Sequence, residues 1–73
     1  MVAELARGLA SQPDQVRVVA EDEGATTVLC LYVADDDLGR VIGRGGRIAH
    51  AFRTLVRAAA GARGERMSLE IVD

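Results

Sequence analysis

Apolar residues recur along this chain with two periods, and each period predicts its own kind of element. Residues 2–10, VAELARGLA, place Val2, Leu5 and Leu9 on one face at helical spacing. They predict a short amphipathic helix, weakened inside by Gly8. Ser11-Gln12-Pro13-Asp14 reads as a stop and a loop, because proline turns the residue before it away from helix. The period then changes to two. In Gln15–Glu21, Val16, Val18 and Ala20 share one side, opposite Arg17, Val19 and Glu21, which is the pattern of a strand with one apolar face. A polar turn is expected at Asp22-Glu23-Gly24-Ala25, closing an antiparallel hairpin with Thr26–Ala34. That second strand, TTVLCLYVA, is apolar on both faces and rich in β-formers, as an interior strand should be.

Helical spacing returns after Ala34. Asp35 fits an N-cap, with Asp36 and Asp37 in a first turn where negative charge suits the helix dipole. This short helix, Asp36 to Ile42, stops at Gly43. A longer one is expected from Gly46 to Ala60, with Ile48, Ala51, Phe52, Leu55, Val56 and Ala59 as its buried stripe. Arg47, His50, Thr54 and Arg57 share the opposite face, with Arg53 beside them, and Gly61 suits the C′ position. After a loop, Met67–Val72 alternates as a last strand with Met67, Leu69 and Ile71 inward. The order α-β-β-α-α-β describes one α+β domain over residues 1–73, a three-stranded mixed sheet with helices on one face. The last strand should lie parallel to the long apolar strand and the first antiparallel on its other side.

Charge changes this picture more than composition does. The net charge is −2, yet residues 1–39 carry eight acids against Arg7 and Arg17, whereas residues 40–66 carry seven arginines against Glu65 alone. These segments stand at −6 and +6, Glu70 and Asp73 supply the remaining −2, and the basic block is the kind that meets polyanions. Cys30 has no partner for an intrachain disulfide and sits in an apolar strand, so a reducing cytosol is the expected home and a buried thiol the expected role. No run approaches the ~18 apolar residues of a membrane span. With one histidine, no Ser/His/Asp set and no Cys/His cluster, neither an enzyme nor a metal or other cofactor is expected. The three consecutive aspartates lack partner ligands at a calcium-loop spacing, which favours capping.

Inside the basic block lies Val41-Ile42-Gly43-Arg44-Gly45-Gly46-Arg47-Ile48. Three glycines within four positions allow positive φ and close backbone approach. A helix starting near Gly46 would point its free N–H groups, and its positive dipole end, into the turn, and Arg40, Arg44 and Arg47 add guanidinium donors. This is the composition of a phosphate clamp.

Gly43-Arg44-Gly45-Gly46 matches the G-x-x-G loop of the KH domain, within the wider V-I-G-x-x-G-x-x-I signature from Val41 to Ile48. The element order resembles the type II KH fold. The whole chain, including Leu69–Asp73, is similar to small stand-alone bacterial KH-domain proteins. The resemblance implies that the loop clamps the backbone of about four single-stranded nucleotides. On that reading Gly43 and Gly46 shape the turn, Arg44 and Gly45 face phosphate, and Val41, Ile42 and Ile48 line the apolar floor for the bases. It also implies an RNA chaperone that acts with a larger KH-containing RNA-binding partner, linked to cell-envelope (peptidoglycan) homeostasis and cell length, and it implies self-association as a dimer. Single-stranded DNA is an alternative ligand, since nothing in the sequence decides between the two.

Rival readings stand beside this one. The glycine turn and its apolar surroundings could serve a homo- or heterodimer contact, or simply join two helices. A P-loop lacks its G-K-[ST], and a dinucleotide fingerprint lacks a glycine at position 48. Helix-turn-helix DNA binding would want polar side chains where Gly46, Ile48 and Ala49 stand.

Overall fold

The hairpin sets the frame of the computed structural model, which describes residues Met1–Asp73. β1 (Arg17–Glu23) and β2 (Thr26–Tyr32) pair antiparallel from Arg17↔Tyr32 to Glu23↔Thr26. Their connection is the two residues Gly24-Ala25, with Gly24 at φ +73° and Ala25 at negative φ. It is shorter than the expected four-residue turn because a Gly-X pair follows the strands' own twist and lets pairing run on through Asp22 and Glu23. β2 also ends at Tyr32, two residues before the expected limit. β3 (Met67–Ile71) pairs parallel with the other edge of β2, from Thr27↔Met67 to Leu31↔Ile71, so the apolar strand is central. Fold class and strand directions match the expectation from sequence.

Register decides the two faces of the sheet. Leu31 and Leu69, with Val18, Leu29, Met67 and Ile71 around them, face α1 (Val2–Leu9) and α3 (Arg47–Ala62), and the core forms between these layers. The other face carries no helix. There Arg17 lies 4.7 Å over the Tyr32 ring, and Cys30 is 5% exposed between its neighbours. Burial, reinforced by Glu21, Glu70 and Glu23, raises the Cys30 thiol pKa and leaves it protonated.

Both helices are rotated from their expected faces. In α1 the buried residues are Val2 and Ala6, while Leu5 and Leu9 are 42% and 39% exposed. In α3 they are Ala49, Phe52, Val56 and Ala60, while Ala51 is exposed and Leu55 is 45% exposed. Small Ala6, Ala49 and Ala60 allow close approach, so the larger leucines are turned aside. Leu5, Leu9, Ala51 and Leu55 instead line an open apolar groove of about 370 Å³ between α1 and α3.

The helix ends differ as well. α3 runs to Ala62 and ends at Gly64, not Gly61: Glu65 N–H donates to Ala60 O (2.9 Å) and Gly64 N–H to Gly61 O (3.1 Å), with Gly64 at φ +69°. These two bonds satisfy carbonyls that the last turn would otherwise leave free. Residues Asp35–Asp37 form a 3-10 turn before α2 (Leu38–Ile42), and Asp35 makes no side-chain cap. Asp37 is fully buried and accepts from Ser11 N (2.9 Å), Ser11 Oγ (2.7 Å) and Gln12 N (3.0 Å). It therefore ties the segment after α1 to the start of α2, a long-range role in place of the expected dipole contact.

Candidate functional site

Five residues of helix are enough to bring the chain to its glycine corner. α2 closes with Gly43 N–H donating to Gly39 O at 2.9 Å, and Gly43 then leaves the helix at φ +77°, ψ 168°. That region of backbone space is almost confined to glycine. A Cβ there would also stand 2.9 Å from the Ile48 amide nitrogen, so any side chain would push into the start of α3. Arg44 follows, and Gly45 (φ 64°, ψ 17°) and Gly46 (φ 76°, ψ 15°) both take the left-handed conformation. The chain reverses within Arg44–Gly46 and enters α3 at Arg47.

The outer side of this corner is open. No heavy atom outside the turn lies within 4 Å of where a Cβ would stand on Gly45 or Gly46. Arg44 and Arg47 flank the opening, both exposed and neither within 4.0 Å of a carboxylate. Arg40, one turn earlier, is exposed too, but its Nε stands 3.6 Å from Asp37 Oδ1. The Asp37 carboxyl is held below the usual carboxylate range, first by the Ser11 backbone and hydroxyl bonds, against its burial, then by Gln12 and Arg40. Arg40 is thus partly engaged in positioning α2, whereas Arg44 and Arg47 are free.

Two expectations for this corner need correction. The backbone amides do not all face outward: Gly46 N–H donates to Gly43 O at 3.1 Å and Arg47 N–H to Arg44 O. The pull on an anion at these positions therefore comes from guanidinium groups beside a bare glycine backbone. Val41 is not a surface residue either. It is fully buried in the core cluster that also holds Leu31, Phe52 and Val56. Of the three apolar floor residues, Ile42 is 38% exposed and Ile48 is half-buried against the core. Arg40, Ile42, Gly43, Arg44, Gly45, Gly46, Arg47 and Ile48 are brought together around the turn, and Val41 supports them from behind. Asp37 was missed as a positioning residue; its partners stand 25 and 26 residues away, beyond the reach of any local pattern.

No group of histidine, cysteine, aspartate and glutamate is gathered as a metal site would require, and no helix is long and apolar enough to cross a membrane. Comparison with known proteins bears on the same residues. The family profile described as KhpA/KhpB, KH domain, matches residues 1–71. Among curated relatives, the RNA-binding protein KhpA of Treponema pallidum is 44% identical over 73 residues, covering 100% of this chain and 91% of that protein. The protein of the same description from Leifsonia xyli is 49% identical over 67 residues, covering 92% and 86%. That of Mycobacterium bovis is 49% identical, covering 99% and 86%.

Proposed function

The chain belongs to the KhpA/KhpB KH-domain family, and we propose that residues 1–73 act as a single KH domain that binds single-stranded RNA at the Gly43–Gly46 turn. One observation carries this reading: the open backbone of Gly45 and Gly46 lies between Arg44 and Arg47, whose charges meet no carboxylate. A phosphate placed there gains two charge-assisted donors, and the absent side chains let its oxygens come close. Gly43 keeps the turn sharp, Asp37 and Arg40 hold α2 in place, and Ile42 and Ile48 offer apolar surface to a base. The relatives' description as RNA-binding proteins supports RNA as the ligand. The family resemblance supports a cytoplasmic RNA chaperone working with a second KH-containing RNA-binding protein, in the post-transcriptional control of envelope synthesis and cell length.

A second reading rests on a different surface. The groove of Leu5, Leu9, Ala51 and Leu55 is apolar and uncovered, which favours a protein-interaction role, homo- or heterodimeric, beside RNA binding. Arg44→Asp with Gly45→Asp separates the two. Both positions are exposed, and aspartate tolerates the left-handed conformation of Gly45 better than most residues. Two carboxylates in the turn should abolish RNA binding and leave fold and oligomeric state unchanged. Retained RNA binding by the folded variant would remove the loop from the site. Matched RNA and DNA oligonucleotides decide the preferred sugar.

A further inference from the structure

Beyond the turn, α3 carries Arg47, His50, Arg53 and Arg57 among its sixteen residues, and not one acid. All four side chains are exposed, and none stands within 4.0 Å of a carboxylate. Most exposed helix faces mix both signs, because i, i+4 pairs stabilise the helix and like charges at that spacing oppose it. Arg53 and Arg57 are such a like-charged pair, and Arg47 at the first helical position stands against the dipole. The face also points away from both apolar contacts of the helix: Ala49, Phe52, Val56 and Ala60 meet the core, and Ile48, Ala51 and Leu55 meet the groove beside α1. The third arc carries Arg47, His50, Arg53 and Arg57, with Thr54 and Gly61 among them. These nitrogen-bearing side chains recur about once per turn, and Arg47 to Arg57 spans about 15 Å at 1.5 Å per residue.

We propose that this arc of α3 is a second phosphate contact, along which an RNA strand longer than the four nucleotides at the turn continues past Arg47 to His50, Arg53 and Arg57. The inference rests on the turn being the primary RNA site. It assigns the ligand as a strand that extends beyond the loop, held through its backbone and therefore without base preference in the extension. Two further phosphates at Arg53 and Arg57 add about 1.4 to the single-strand salt slope, and on the order of 25-fold in affinity at 0.1 M relative to 1 M salt.

The test uses random-sequence RNA pools of 4 and 12 nucleotides, with the full chain as wild type, Arg53→Gln/Arg57→Gln, and Arg44→Asp/Gly45→Asp. Glutamine keeps helix propensity near that of arginine, so the fold, checked by circular dichroism, should be unchanged. Wild type should bind the 12-mer on the order of tenfold or more tightly than the 4-mer beyond the roughly ninefold that its overlapping four-nucleotide registers supply, with a steeper salt dependence. The α3 variant should lose that increment, and the loop variant should lose binding to both lengths. If the α3 variant keeps the whole increment while the loop variant fails, the second contact is overturned and the turn remains the site. If the loop variant binds the 4-mer as wild type does, the primary reading is overturned and the inference with it. Absence of binding at either length overturns both.

Discussion

Gly43 is the residue whose replacement the fold should tolerate least. Its backbone angles belong almost only to glycine, at about 1–3 kcal/mol for other residues. Its missing Cβ would also press on the Ile48 amide 2.9 Å away. Gly45 and Gly46 share only the first difficulty, at about 1–2 kcal/mol each. Urea unfolding should therefore rank Gly43→Ala at least about 1 kcal/mol less stable than Gly45→Ala or Gly46→Ala. A 73-residue domain holds roughly 4–11 kcal/mol in all, so a large share is at stake. Equal losses at the three positions would mean that the close approach to α3 is relieved by a small shift. Cys30 makes a second residue-scale case. Burial and three nearby glutamates disfavour its thiolate, and the thiolate is the reacting form. A disulfide reagent such as Ellman's should modify the native protein only as fast as it opens, and the urea-unfolded chain at once. Rapid labelling of the folded protein would contradict this.

At the scale of elements, α2 depends on a carboxylate that reaches back across the chain. Asp37 is buried against Ser11 and Gln12, and these bonds lower its pKa in the folded state. A lowered carboxylate pKa contributes stability that is complete above the unfolded value, about 3.9, and is lost as pH falls through the folded value. The stability gap between wild type and Asp37→Asn should thus be constant at neutral pH and narrow progressively as pH falls below about 4. A gap that does not change with pH through the acid range would assign the effect to packing. Element boundaries and strand order were legible because glycine, proline and the change of period mark them locally. The rotation of the helices was not. A helical wheel ranks leucine above alanine, yet contact with the sheet selects by size, and Ala49 and Ala60 enter where Ala51 and Leu55 do not. Phe52→Ala should cost about 3–5 kcal/mol, and Leu55→Ala only about 1, because nearly half of Leu55 already faces water. The glycine corner was readable from its spacing, but which amides are internally bonded, and that Val41 is core, depended on how α2 lies on α3.

For the whole molecule, only part of the segregation of charge along the chain becomes a separation in space: Asp35–Asp37 lie one short helix from the glycine corner, whereas the hairpin acids stand far from it. β3 begins opposite Thr27, beside the hairpin turn, and α3 leads into it through a short loop. The start of α3, with the glycine corner, therefore lies toward the other end, about 24 Å up a sixteen-residue helix in a molecule 34 Å long. Glu21, Asp22 and Glu23 are exposed at the hairpin end, remote from Arg44 and Arg47, whereas Arg66 lies beside them, its carbonyl accepting from Thr27 N–H at 3.0 Å. At that distance a carboxylate and a phosphate repel by about 0.17 kcal/mol in water before screening. Three acids acting on three bound phosphates make about 1.5 kcal/mol, which falls to about 0.7 at 10 mM ionic strength and below about 0.1 at 150 mM, as the Debye length shrinks from about 30 to 8 Å. Glu21→Gln/Asp22→Asn/Glu23→Gln removes three negative charges and takes the net charge from −2 to +1. Binding of a four-nucleotide single-stranded RNA, too short to leave the turn, should strengthen about threefold at 10 mM salt and stay unchanged at 150 mM, with fluorescence anisotropy as the readout. An equal gain at both salts would place those carboxylates against the strand itself, and the arrangement of a basic end that binds and an acidic end that only repels from afar would have to be given up.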